Sequence, residues 1–199
     1  MNKSFRQLAL PVLMFAFVGA AQAQQRVIDF GQWGSSFFTT DPVEVYYVDT
    51  SAGGAFGSGG FASVASLTGN DWIATNWFEN PEASFTGSEA FDLGSVWLAG
   101  AWGSQTLTFT GYAGDGSVFT TTVYVTTTAQ EYAIDFKGID KFTISTGTDY
   151  VQDPTLPYVG LNWAMGSMNI TVVPEPETYA MMLAGLALMG VVARRRQKR

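Results

Sequence analysis

The chain contains no cysteine and no histidine. Without cysteine it can form no disulfide, so the fold must be held by its own core. Without either residue it has no thiol or imidazole nucleophile, no imidazole general base and none of the usual soft ligands for a transition metal. Cations are scarce as well. Between residues 24 and 173 only Arg26, Lys137 and Lys141 are basic, whereas fifteen of the 17 acidic residues fall there. That balance argues against binding nucleic acid or an anionic membrane surface. No amphipathic helical pattern of convincing length occurs in this stretch either, which points to an all-β body of roughly 150 residues, a size that suits a single domain.

What is present is concentrated at the two ends. The chain opens MNKSFRQLALPVLMFAFVGAAQAQ, with Lys3 and Arg6 before an apolar run from about Leu8 to Val18, then Ala21, Gln22 and Ala23. Basic start, short apolar run and A-x-A site together read as a secretory signal peptide over 1–23, and the mature chain is expected to start at Gln24. At the other end stands VVPEPETYAMMLAGLALMGVVARRRQKR. Pro174 and Pro176 fix two backbone dihedrals and remove two amide donors, giving an extended, exposed connector. From Thr178 to Ala193 no charge interrupts a run of good helix formers, a helix of about 24 Å. A bilayer core is roughly 30 Å thick, and the flanking Arg194, Arg195 and Arg196, with Lys198 and Arg199, make up part of the difference. A transmembrane helix with its basic end in the cytoplasm is the expectation.

Residues 174–199, led by Val173, Pro174, Glu175 and Pro176, resemble the PEP-CTERM sorting signal of Gram-negative envelopes: the motif, a hydrophobic helix, then an Arg-rich cluster. The resemblance implies that the tail is the substrate of an exosortase, an integral-membrane enzyme expected to cleave near the motif. It also implies an inner-membrane-anchored precursor and a destination on the outer surface or in an exopolysaccharide or biofilm matrix. Tails of this type are also classed as the C-terminal region of ice-binding proteins.

The body, residues 24–173, reads as strands separated by turn residues. VEVYYVD alternates branched and aromatic residues; SAGGAFGSGGF is a flexible loop, with no Lys or helix pattern to make it a phosphate cradle; FASVASL resumes an alternating, strand-like pattern,. QTLTFTGY and SVFTTTVYVTT flank Gly114, Asp115 and Gly116, a hairpin signal,. EYAIDF and GIDKFTIS read as two strands joined at Lys137 and Gly138, and YVGLNWAMGSMNITVV as two strands broken near Gly166. Evenly spaced short strands favour a β-sandwich or jelly roll. FDLGSVWLAGAW, LTFTGYAGDGSVF and FKGIDKFTIS, followed by a last strand running into VVPEP, resemble in order the jelly-roll ectodomains of PEP-CTERM proteins. Where such proteins carry an Asp-Asn pair in the last strand, Met168 precedes Asn169 here.

Three chemistries remain open to this residue set. Asp71, Glu79, Glu82, Glu89 and Asp92 are the densest carboxylates, but a glycosidase pair needs two that face each other with one raised in pKa, and solvated loop acids are the default,. Asp29, Glu44, Asp135, Asp140, Asp149 and Asp153 are candidate ligands for a structural calcium, without the spacing of a known calcium loop,. Of the six tryptophans, Trp72 and Trp77 lie with Asn76 in NDWIATNWFENPE and are the candidate carbohydrate contacts, weighed against the core burial that large aromatics supply,. The threonine clusters 120–122 and 126–128 fit β-propensity on a solvent-facing sheet, with no repeat that would align them over several strands,. The leading expectation is a non-enzymatic exported protein of the extracellular polysaccharide layer, the alternative a carbohydrate-binding module, and the third a degenerate glycoside hydrolase.

Overall fold

The computed structural model describes residues 23–32, 34–76, 80–172 and 176–197. Residues 1–22 of the expected signal peptide, Trp33, Trp77 and the motif residues Val173, Pro174 and Glu175 lie outside the described residues. Gln24–Val173 forms one compact unit, and the tail belongs to another.

Ten strands make up most of the body: β1 (Gln24–Asp29), β2 (Phe38–Thr40), β3 (Val45–Asp49), β4 (Trp72–Asn76), β5 (Glu82–Gly100), β6 (Gly103–Tyr112), β7 (Val118–Val125), β8 (Gln130–Thr146), β9 (Val151–Gln152) and β10 (Trp163–Val172). Their order is β3-β4-β10-β5-β8-β6-β7, with β1 beside β10, β2 beside β5 and β9 beside β6. Each pairing is antiparallel. The long strands β5 and β8 are shared by two halves of this sheet. Glu82–Thr86 pairs with the part of β8 that also carries β6, whereas Ser95–Leu98 pairs with the start of β8 and, on its other edge, with β10. Between these segments the register shifts three times, and bulges of this kind bend a sheet,. The halves then face each other: Phe85 of β5 lies 6.3 Å from Trp163 of β10, and Phe91 lies 6.4 Å from Phe142 of β8. Phe85, Phe91, Leu93, Phe109, Phe142, Trp163, Met165 and Met168 are fully buried in the resulting core. The architecture is a predominantly β sandwich.

Three local expectations are corrected. The expected turn at Lys137 and Gly138 is a bulge inside the single strand β8: Asp135 and Gly138 adopt left-handed backbone with φ of 57° and 58°, and the strand continues on both sides. Asp92 holds that bulge, accepting from the Gly138 N–H at 2.8 Å and from Lys137 Nζ at 3.2 Å. The final segment is one strand, β10, whose irregularity between Met165 and Met168 sits at Gly166. Most consequentially, FASVASL is helical. Helix α1 (Gly59–Thr68) buries Phe61 and Val64, which recur at the spacing of one helical face, and ends on Gly69 in left-handed conformation,. Gly60 lets its first turn lie against the backbone carbonyl of Gly100, where a Cβ would clash.

The threonines are aligned more than the sequence suggests. Register places Thr120, Thr110 and Thr143 in one row and Thr122, Thr108 and Ser145 in the next. Thr143 is buried and Ser145 donates to Glu82, so only β6 and β7 leave the hydroxyls open.

In the tail, helix α2 (Pro176–Gln197) starts earlier and ends later than expected and takes in Arg194, Arg195 and Arg196. Among the described residues no helix is long and apolar enough to cross a membrane. The uncharged part of α2 falls short of the ~20 apolar residues that a bilayer core requires, and cations follow within the same helix,.

Candidate functional site

Helix α1 covers the face of the sheet opposite the main core. Phe61 and Val64 pack there with Val48, Ile73, Ala99, Ala101, Trp102 and Ala164 in a second apolar cluster. The contact is close because Gly166 lies under the helix, where a Cβ would strike Val64 and Thr68. At the N-terminal end of α1 this packing leaves a cavity of about 160 Å³. Phe56 and Phe61 form one wall, Trp102 and Asn162 another, and the paired strands β3 and β4 supply Tyr46, Thr75 and Asn76. Tyr46 is 43 % exposed and so reaches the mouth; Trp102 is 1 % exposed and Asn162 3 %.

The polar groups of the cavity divide into two kinds. Asn76 spends its amide on the backbone: Nδ2 donates to the carbonyls of Asn80 at 3.1 Å and Leu161 at 3.4 Å, and Oδ1 accepts from the Trp163 N–H at 3.1 Å. Asn162 Nδ2 likewise donates to the Asn76 carbonyl at 2.9 Å. By contrast, Trp102 Nε1 and Asn162 Oδ1 are buried without a hydrogen-bond partner. Buried polar groups are nearly always paired, and Gln105 Oε1 and Trp163 Nε1, outside the cavity lining, share the unpaired state. Among the described residues no charged side chain lines the space.

Of Trp72 and Asn76, the described residues among the three singled out for sugar contact, Asn76 lines the cavity. Trp72, at the start of β4 opposite Asp49, is partly exposed and is not a lining residue. Trp77 lies outside the described residues. The cavity residues that sequence reasoning missed are Trp102, Asn162, Phe56, Phe61, Thr75 and Tyr46, drawn from segments far apart along the chain. Trp102 carried one weak signal, its place in the short connection between two long strands.

The carboxylates are dispersed. Among the described residues no three acidic side chains gather as a metal site would require. Asp149 is held below the ordinary carboxylate range by the Thr106 hydroxyl and N–H, Asp153 by the hydroxyl and N–H of Thr155 and the Thr127 hydroxyl, and Asp115 by the Ser117 N–H. These shifts run opposite to what a general acid at neutral pH needs. Glu44 Oε2 accepts from the Ser84 N–H, tying two strands together.

The tail has its own pattern. Pro176 is the first residue of α2, and Arg194 and Arg195 are exposed near its end. The family model for the PEP-CTERM protein-sorting motif matches residues 172–197. The tail is a PEP-CTERM sorting motif. The PEP-CTERM match thus takes in Pro174, Glu175, Pro176 and the cations Arg194, Arg195 and Arg196. No curated protein gives a sequence match to this chain. Among solved structures it is similar to a family 61 carbohydrate-binding module in complex with β-1,4-galactotriose, at 15 % identity over 76 % of this chain and 88 % of that one, with a TM-score of 0.35. A variant of a family 29 carbohydrate-binding module aligns at 11 % identity over 78 % of this chain and 99 % of that one, with a TM-score of 0.42.

Proposed function

We propose that this is a non-enzymatic, exported envelope protein, sorted through its tail by an exosortase and acting in or on an extracellular polysaccharide layer. The PEP-CTERM match at 172–197 carries the reading. In it, Pro174, Glu175 and Pro176 are the segment that the exosortase recognises, and Pro176 opens α2 at a position where its missing N–H costs no helical hydrogen bond,. The tail anchors the precursor in the inner membrane, Arg194, Arg195 and Arg196 reaching the cytoplasmic headgroups and making up for an apolar part of α2 that is short for a bilayer,. The N-terminal signal peptide over 1–23 supplies the export that this order of events needs.

Fractionation of cells and medium, with the mass of each form, tests the proposal. The expected result is a membrane-bound precursor that retains the tail and a lighter form at the surface or in the medium. Replacing Pro174, Glu175 and Pro176 by Ala should leave the precursor uncleaved and retained in the membrane. Release of that variant at the normal rate and mass would sink the assignment of the motif. A second reading, a carbohydrate-binding module, is favoured by the aromatic lining of the cavity.

A further inference from the structure

We propose that the outer edge of β7 pairs with the same edge of a second copy of this chain, antiparallel across a two-fold axis, with Thr120 opposite its own counterpart. Strand β7 ends the order β3-β4-β10-β5-β8-β6-β7, and among the described residues it pairs with β6 alone. Which of its backbone groups face outward follows from the hairpin before it. The Ala113 N–H donates to the Ser117 carbonyl at 3.0 Å, so Ser117 directs its backbone at β6. In an antiparallel ladder that direction alternates, which turns Val118, Thr120, Thr122 and Tyr124 outward. The other end agrees: Thr106, opposite Tyr124, bonds away from β7, its N–H donating to Asp149 and its carbonyl accepting from the Gly147 N–H. The Tyr124 carbonyl accepts from the Tyr132 hydroxyl at 2.9 Å. Val118, Thr120 and Thr122, all exposed, keep outward N–H and C=O groups that no strand among the described residues takes up.

Exposed edges invite further pairing, and proteins ordinarily blunt them by shortness, charge or proline. The other strands with a single partner are blunted in this way. β2 has three residues and β9 two, β1 carries Arg26 and Asp29, and β3 has five residues and ends on Asp49. β7 has eight, VFTTTVYV, with neither charge nor proline. Its inner side is pinned by Phe119, stacked on Phe136 at 5.9 Å, so the edge is a formed strand before anything meets it. Charge selects a second copy as the occupant. The body holds fifteen acidic residues against three basic ones, so two copies repel each other except where neither presents charge, and β6 and β7 contain no charged residue,. Pairing centred on Thr120 sets Val118 opposite the second copy's Thr122, which satisfies the free groups of all three residues and leaves the occupied Tyr124 carbonyl outside the pair. Threonine and β-branched pairs across strands stabilise such a ladder. The two-fold consumes this edge on both copies, so assembly closes at the dimer. Main-chain bonds over so short a segment make a modest interface, hence a monomer–dimer equilibrium rather than a permanent dimer.

The experiment follows the purified full chain in mild detergent by sedimentation velocity over a concentration series, and does not depend on sorting. The expected result is a monomer–dimer equilibrium with nothing larger. Thr120→Glu sets two carboxylates face to face and should weaken the dimer roughly tenfold or more, and Thr120→Lys should do the same with two cations. An equal mixture of the two variants should recover the dimer, since Glu then stands opposite Lys. The chain has no cysteine of its own, so a single introduced cysteine reports the register. Cα atoms of a hydrogen-bonded antiparallel pair lie about 5.5 Å apart, within the span of a disulfide, whereas Val118 and its counterpart would stand roughly 14 Å apart. Thr120→Cys should therefore cross-link rapidly under mild oxidation and Val118→Cys slowly; this pair decides the matter if the charged variants do not fold. A monomer at every concentration, growth into larger assemblies, or a dimer unaffected by Thr120→Glu, as association through the tail would give, would overturn the proposal. So would a mixture of folded Thr120→Glu and Thr120→Lys that recovers no dimer, or cross-linking of Val118→Cys as fast as that of Thr120→Cys.

Discussion

The side-chain carbonyl of Asn76 accepts the backbone N–H of Trp163 at 3.1 Å, joining residues 87 positions apart. The same amide donates to the carbonyls of Asn80 and Leu161, so one side chain fixes the start of β10 and the end of β4. Asn76→Ala leaves a buried N–H unpaired and should cost about 2 to 3 kcal/mol, read as a lower midpoint in urea with an unchanged slope. A residue whose role was to touch ligand alone would leave that midpoint where it is.

Trp72 and Trp163 should separate cleanly on truncation. Trp163 is fully buried against Phe85, and Trp163→Ala should cost about 3 to 5 kcal/mol,. Trp72 is partly exposed, and Trp72→Ala should cost about 1 kcal/mol or less,. Equal losses in chemical denaturation would show that Trp72 packs far more tightly than its exposure indicates.

Gly166→Ala should loosen the helix layer. The added methyl would meet Val64 and Thr68 of α1, and overpacking of this kind costs about 1 to 3 kcal/mol,. Hydrogen exchange should locate the change, with faster exchange of α1 amides and little change in β6 and β7.

Acid should weaken the body through its lowered carboxyls. Asp149 accepts from the Thr106 N–H at 2.9 Å and the Thr106 hydroxyl at 2.6 Å, which lowers its pKa below the ordinary 3.8. A group with a lowered folded-state pKa stabilises the fold above its unfolded value, and that contribution disappears as pH falls through the folded value. The melting temperature should therefore hold through neutral pH and decline below about pH 4. Asp149→Asn should flatten part of that decline; an identical pH profile in the variant would remove Asp149 as a cause.

How much of this was legible in the sequence depends on whether the deciding contact was local. The hairpin at Gly114 to Gly116 was, because its signal is its mechanism: Asp115 accepts the Ser117 N–H and Gly116 takes a φ of 87°. Helix α1 was not. Phe61, Val64 and Ala65 satisfy a helical face, but in so short a run they also fit an alternating strand, and the hollow at Gly166 that receives them lies about a hundred residues away. The bulge at Asp135 and Gly138 was legible only as a break, because the left-handed residues read locally as a turn and only the pairing on both sides makes the strand continuous,. The motif of the tail was legible because it is linear. The cavity was not, because Tyr46, Trp102 and Asn162 meet only after the sheet has formed.

Strand β10 runs from Trp163, beside the cavity, to Val172, where the sorting-motif match begins, a span of roughly 30 Å,. It is paired antiparallel on both edges, with β5 on one side and with β1 and β4 on the other. Hydrogen bonds in such ladders lie across the strand direction. A pull between the tail and anything gripped at the cavity would travel lengthwise through β10, and both ladders would carry it at once in shear rather than opening bond by bond. The chain leaves its body through the strand best suited to withstand tension.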